Sequence, residues 1–493
     1  MKGQDDTHLL KGMIILVCAS MIFRFYSGLS LGQTVLFWLS AASFISATGL
    51  LAWEHYSKSG REDRARVENI RELPSDLLVA SPDAVRMGED QDLKIPIYLP
   101  DSIRLRHVHI LGSTGSGKTE SVILNFLRQD VARGMGGIIL DAKGDYSFLR
   151  SLKAWVPEER LRVFDLSAEK SLAYDPLQAG SPLEAAQRLF ASLTWSEEYY
   201  QVKAQSALQR LFQRHFQEKG CNPKLTDLAH YLKDAKTYAA FVSPEAVAEK
   251  VTDRDFTDLS GLVAQIQILC TGYLSTILAP SAPGIHLENA AAGEVLYFRL
   301  QSLLSPQLVT IVGRLLINHL NFLAGTAHRA EGAENRGKLI PTYLDEFAAF
   351  ACPEFADLIS KARSAGFALH FSHQSTGDVK EVSEGFLNQI TDNSATKIVL
   401  RINDPDSAEF FARSFGTKLY QKVTHRVTNA KEADDAELLG EGSQREAHKF
   451  RASPDLFKTL PTGVGSVLIA HGYDTPHGAS TVFRIKFPRL PQD

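Results

Sequence analysis

The stretch HVHILGSTGSGKTES, residues His107 to Ser121, decides the fold. It reads as an apolar strand ending at Leu111, a glycine-rich turn, and the start of a helix carried on by Val122, Ile123, Phe126 and Leu127. Gly112, Gly117, Lys118 and Thr119 fit the phosphate-loop spacing G-x4-G-K-[ST]. Ser113, Thr114, Gly115 and Ser116 fill the interval, and each residue type has a task. Glycines let successive amide N–H groups converge on the β- and γ-phosphates. Lys118 supplies a flexible point charge, Thr119 a hydroxyl for Mg²⁺, and the helix start a partial positive charge facing the anion. The stretch predicts a nucleotide site taking ATP and Mg²⁺.

Outward from this loop, strands alternate with helices. Gly137 to Asp141 reads as a second parallel strand and Arg162 to Leu166 as a third, the pattern of a doubly wound α/β sheet. Residues 181–270 change character. Leu183, Ala186, Leu189, Phe190 and Leu193, then Leu208, Leu211 and Phe212, recur at helical spacing, which predicts an inserted all-helical domain. Strands resume at Glu294 to Leu300. A helix is expected over Pro306 to Leu323, and an exposed loop over Ala324 to Lys338. Then come the strand Leu339 to Glu346, a helix from Pro353 to Ala365, the strand Phe367 to Phe371 and a helix from Thr376 to Asn388. The strand Thr396 to Arg401 and a helix from Asp406 to Phe415 continue the alternation. Gln421 to Arg451 is polar and charge-dense and reads as a mobile segment, before closing strands at Gly465–Ala470 and Thr481–Lys486.

The expected organisation is a membrane hairpin over 1–56, a juxtamembrane segment and first part of the nucleotide domain over 57–180, the insertion over 181–270, and the second part over 271–493. Met13 to Leu29 is interrupted only by Arg24, and Thr34 to Trp53 runs 20 residues without a charge, close to the length a bilayer core requires. Lys2 and Lys11 before the pair, and Lys58, Arg61, Arg64 and Arg66 after it, predict both ends in the cytoplasm of a two-pass protein. Trp38 and Trp53 fit interface anchors or packing between the two helices equally well.

At 493 residues the chain exceeds one ordinary core. A net charge of −4 argues against a simple DNA-coating protein and leaves room for a local basic channel. The four cysteines are far apart, which excludes a disulfide framework or zinc site as the organising principle.

Hydrolysis requires more than a phosphate loop. Asp345 and Glu346 end an apolar strand; such a pair standing alone fits a helix cap and a first-turn acid. Downstream of a phosphate loop it reads instead as the Mg²⁺ acid, Asp345, and the general base for water, Glu346. Gln374, at the end of the next strand, reads equally as a polar loop residue or as an amide that can touch both the γ-phosphate and the lytic water. Arg363 ends a helix leading away from its own nucleotide. It reads either as a solvated helix-end cation or as an arginine finger for a neighbouring subunit. His370 and His373, one within a strand and one in a loop, have no partner at ligand spacing.

These features follow one another in order: paired apolar helices, GSTGSGKT, DAKGDY, a helical insert, YLDEFA, KARSAGF and SHQS. The chain thereby resembles the TraG/TraD (TrwB-like) coupling proteins of bacterial conjugation and type IV secretion, from the apolar pair to about Gly416. The resemblance implies a RecA-like P-loop NTPase domain with an inserted all-α domain. It also implies a homo-hexameric, inner-membrane ATPase that moves single- or double-stranded DNA without reading sequence. Relaxase or relaxosome and the type IV secretion channel would be its partners. Lys118 and Thr119, Asp345 and Glu346, the intersubunit arginine Arg363 and Gln374 match the family's motifs. Asp141 lies where many members read D-P-K-G; alanine replaces that proline here and leaves the role of Asp141 open. The long C-terminal tail of some members is not expected. Rival readings are an FtsK-type DNA pump and a membrane-tethered docking platform for secreted proteins.

Overall fold

The computed structural model describes residues 73–242, 253–281, 284–303, 305–329, 339–427, 438–471 and 480–489. The expected membrane hairpin lies outside them. Eleven strands form one sheet and two more a separate ribbon. In chain order they are β1 (Ala84–Asp90), β2 (Pro96–Pro100), β3 (Val108–Leu111), β4 (Gly137–Asp141), β5 (Leu161–Asp165), β6 (Val295–Arg299), β7 (Ile340–Asp345), β8 (Phe367–His373), β9 (Thr396–Val399), β10 (Thr417–Val427), β11 (Leu438–Phe450), β12 (Val464–Ala470) and β13 (Ser480–Lys486).

The sheet runs β2-β1-β13-β12-β9-β3-β8-β7-β4-β6-β5. From β9 to β5 every pairing is parallel, while β12, β13, β1 and β2 extend the other side antiparallel. Parallel strands need helical crossovers, which cover both faces. That is why β3, β4, β7 and β8 are buried at every residue and read as mainly apolar runs. The carboxyl ends of β3, β8, β7 and β4 therefore lie side by side along one edge, where an open α/β sheet binds its ligands.

Between β5 and β6 the described chain is helical, from Pro182–Ser192 and the 22-residue Glu198–Lys219 to Leu274–Ile277. Ser181 and Glu184 form a reciprocal capping box with Pro182 in the first turn. Gly220, at φ +74°, ends the long helix in a conformation that suits glycine. These helices share one apolar core with the sheet face that Pro306–Arg329 covers.

Several expectations need correction. The helix from Pro306 runs to Arg329, because the apolar stripe continues through Leu320 and Ala324, both buried. It is long and apolar enough to cross a membrane, but 61% of its most apolar window is buried, as in a core helix. The expected helix from Thr376 to Asn388 is two helices, Thr376–Lys380 and Glu384–Asp392, the second capped by Ser383. His373 lies on β8 rather than in a loop, fully buried, with Nε2 2.6 Å from His109 Nε2 and Nδ1 2.7 Å from the Ser375 carbonyl oxygen. The polar stretch from 421 contributes to the paired strands β10 and β11. The approach to the phosphate loop holds two strands, β1 and β2; the register of their pairing shifts between Arg86 and Gly88.

A buried ionic cluster pins the base of the sheet. Arg104, with no exposure, donates to both carboxylate oxygens of Asp130 at 2.8 and 2.7 Å and to Asp101 at 2.8 Å. It also donates to His370 Nε2 at 3.3 Å, and Tyr343 donates to Asp130 at 2.5 Å. Burial opposes ionisation of Asp130, but Arg104 outweighs it and holds the pKa below the usual carboxylate value. The cluster ties the helix Leu124–Ala132, which follows the phosphate loop, to β7 and β8.

Candidate functional site

The loop after β3 closes on itself where the motif requires glycine. Gly115 and Gly117 have φ of +75° and +100°. A Cβ on Gly112 would stand 2.5 Å from Ser116 Oγ. Ser113 N–H and Oγ both donate to the Arg401 carbonyl, fastening the loop to β9's end. The chain then enters a wide π-type turn over Lys118–Ile123 and the α-helix from Leu124. Lys118 is 5% exposed; its Nζ donates to the Gly112 carbonyl at 2.7 Å and lies 3.6 Å from Glu346 Oε1.

The Thr119 hydroxyl donates to Asp345 Oδ2 at 2.6 Å. Two hard oxygen ligands thus meet where the loop joins the end of β7, and the pair fits Mg²⁺. Ser372, buried on β8, donates to Asp345 Oδ1 at 2.5 Å and accepts from the Glu346 N–H at 3.3 Å. Glu346 has φ +51° and ψ +47°, left-handed values that cost a non-glycine residue about 1–3 kcal/mol. This bend turns its carboxylate toward the loop, where Gln374 Nε2 donates to Oε2 at 3.2 Å. Thr114 donates in turn to Gln374 Oε1 at 3.0 Å. Burial raises the Glu346 pKa; Lys118 opposes and Asp345 adds to the rise.

Lys118, Thr119, Asp345, Glu346, Gln374 and Thr114 therefore form one constellation. Arg363 is not part of it. It is exposed in the turn before β8, beside His107 at the opposite edge of the sheet.

Sequence reasoning did not single out Ser372, Thr462 or Gly463, and it left the role of Asp141 open. Ser372 orients Asp345, and its signal was a hydroxyl within a buried strand beside the acid strand. Asp141 stands in register with Asp345, accepts from Tyr297 OH at 2.7 Å and from Gly144 N–H at 2.8 Å, and burial plus Asp345 push its pKa up to about 6. Thr462 and Gly463 brace the loop from far along the chain: Gly463 N–H donates to the Ser116 carbonyl at 2.9 Å and Thr462 Oγ1 to that of Gly115 at 3.4 Å. No local signal marks them.

Fold and loop together define a RecA-like P-loop NTPase architecture on a mixed, mainly parallel sheet. Residues 340–458 match the family domain described as the TraM recognition site of TraD and TraG. Residues 85–258 match the central domain of helicase HerA. The type 4 coupling protein DotL of Legionella pneumophila is 23% identical over 412 residues, covering 68% of this chain and 52% of DotL, so the chain spans about half the length of that relative. Among solved structures, the unbound conjugative coupling protein TrwB superposes with a TM-score of 0.63 at 13% identity, covering 84% of this chain and 89% of that one. TrwB in complex with ADP and Mg²⁺ gives 0.62 at 13% identity, with 84% and 92% covered. The resemblance to TraG/TraD coupling proteins is thus met by a TraG/TraD-type domain, a coupling-protein homologue and a coupling-protein fold.

Proposed function

We propose that this chain is the ATP-driven coupling protein of a type IV secretion or conjugation apparatus, delivering relaxase-bound DNA to the channel. The observation that carries this reading is the Thr119–Asp345, Lys118–Glu346–Gln374 constellation along one sheet edge. Bound Mg²⁺-ATP would supply a phosphoanhydride whose cleavage releases work. Thr119 and Asp345 would hold the metal, while the loop amides and Lys118 would hold the phosphates. Glu346 is placed to take a proton from the attacking water, and Gln374 to orient it. The raised pKa, set by burial, makes Glu346 a better base than an ordinary surface carboxylate.

In this reading the protein is a two-pass inner-membrane hexamer with its ATPase domain in the cytoplasm, and Arg363 serves a neighbour's nucleotide. A relaxosome protein docks on the region matching the TraM recognition site. DNA is gripped through its phosphates without sequence readout.

The test measures ATP turnover of the purified full chain with and without single-stranded DNA, for wild type and Lys118→Ala. The expected result is DNA-stimulated turnover that the substitution removes. Turnover indifferent to DNA would refute translocation, and turnover that survives Lys118→Ala would refute the site.

A further inference from the structure

The ribbon of β10 and β11 stands outside the main sheet, and its register segregates charge. Lys418 lies directly opposite Lys449, Tyr420 opposite Ala447, and Lys422 opposite Arg445. Directly opposed residues of an antiparallel pair share a face, and side chains alternate along each strand. Lys418 and Tyr420 therefore share one face with Arg445, Ala447 and Lys449. The other face carries Leu419 and Gln421 with His448 and Glu446. Lys418, Arg445 and Lys449 are exposed, and Tyr420 is 39% exposed. Among the ribbon residues whose side chains are described, the acid Glu446 lies on the opposite face.

Like charges opposed across a ribbon are destabilising, and a two-stranded ribbon has little stability to spare. Nothing in the packing requires this arrangement, since opposite charges would fit the same register. A polyanion laid along the face would reverse the sign of the interaction. An exposed tyrosine among the cations adds a flat surface on which an unpaired base can stack.

We propose that this face of the β10–β11 ribbon binds the sugar-phosphate backbone of single-stranded nucleic acid, with Tyr420 stacking on a base. This rests on the DNA-translocase reading and names the contact surface that the sequence did not disclose. The ribbon is also wired to the nucleotide loop. From Phe450 the chain passes through Arg451, which donates to Ser480 Oγ and to its carbonyl, both at 2.8 Å, and through the short helix Pro454–Thr459. It then reaches Gly463, bonded to Ser116 of the loop. A shift of the loop thus has a route to the gripping face through one backbone hydrogen bond and a short length of chain.

The test uses the full chain in detergent, a fluorescein-labelled oligothymidylate and a KCl series read by anisotropy. The variants are Lys418→Glu/Arg445→Glu/Lys449→Glu, Lys449→Ala, Tyr420→Ala and Tyr420→Phe. Binding of a fluorescent ATP analogue and the melting temperature serve as controls for folding. The triple variant is expected to flatten the slope of log K against log[salt] by about 2, and Lys449→Ala by about 0.7. Tyr420→Ala is expected to weaken binding about tenfold, with Tyr420→Phe close to wild type. Wild-type DNA binding that every variant retains would overturn the ribbon's role and leave the motor reading standing. A wild type that binds the ATP analogue but no oligonucleotide would overturn both. Ribbon-dependent binding to phosphatidylserine vesicles that oligonucleotide cannot displace would make the face a membrane contact and overturn the proposal.

Discussion

Ser372→Ala isolates the part of the site that sequence reasoning passed over. The Ser372 hydroxyl donates to Asp345 Oδ1 at 2.5 Å inside the sheet, with no exposure, while Asp345 Oδ2 takes the Thr119 hydroxyl. Removing the hydroxyl leaves Oδ1 only the Glu346 N–H, at 3.2 Å. A buried hydrogen bond to a charged acceptor contributes about 1.5–3 kcal/mol, which corresponds to about 10- to 150-fold in an equilibrium constant. The loss should fall on the acid's orientation rather than on nucleotide contacts. The expected result is an apparent Mg²⁺ requirement for ATP turnover raised by at least tenfold, with the nucleotide KM at saturating Mg²⁺ little changed. Ser372→Thr, which keeps a hydroxyl, should restore most of the loss. The assay is turnover titrated with Mg²⁺ at fixed ATP, alongside a melting curve to establish folding. A folded Ser372→Ala protein whose Mg²⁺ midpoint lies within twofold of wild type would refute the assignment of Asp345 as the metal acid held by Ser372.

Asp130→Asn removes the charge that compensates fully buried Arg104 and should destabilise the domain by about 3–5 kcal/mol, read as a lowered melting temperature; an unchanged value would contradict the ionic cluster. His319 is held neutral by burial, its pKa lowered to about 3 from 6.5, beside Tyr174 OH at 2.8 Å. The unfolded chain therefore binds the proton first, and stability falls as pH drops below about 6.5, by about 1.4 kcal/mol per unit for this one group. His319→Gln should make the melting temperature less steep between pH 6.5 and 5; an unaltered slope would show that other groups carry it. In mixed assemblies, Glu346→Gln and Arg363→Ala copies should recover turnover above either variant alone; failure to do so would refute a pocket shared between copies.

The nucleotide strand, the acid strand and the Gln374 strand were legible because parallel strands buried on both faces leave mainly apolar runs such as Val108 to Leu111 and Phe367 to Phe371, each broken by a single buried histidine. The motif residues were legible because their chemistry dictates spacing. The ribbon was not. Each of its faces meets solvent, so Thr417 to Gln421 and Arg445 to Lys449 show no burial contrast, and alternation is the only clue a strand offers. A different limit hid β1: the register shift between Arg86 and Gly88 sets its exposed residues, Arg86 and Glu89, three apart and breaks the alternation. Thr462 and Gly463 were out of reach for another reason. Their role lies in backbone contacts with Gly115 and Ser116, and contacts so distant in sequence leave no periodic trace.

The placement of Arg363 follows from the length of β8. Arg363 lies in the turn before Phe367, the strand's first residue, and Gln374 follows His373, its last. Seven residues of strand at about 3.3 Å each put roughly 20 Å between the amino edge and the phosphate loop. An arginine side chain cannot span that distance, and the buried strand between the two edges cannot shorten without breaking its pairing with β3 and β7. Arg363 therefore cannot serve the nucleotide of its own chain. A role at a phosphate requires a second copy whose loop edge faces this chain's amino edge, a head-to-tail contact that closes into a ring when repeated with rotation. The ion pair between Lys118 and Glu346 would have to open as nucleotide enters, freeing the lysine for phosphate and the glutamate for water. In the proposed assembly, entry of the nucleotide would arm each copy and the neighbour's arginine would complete it.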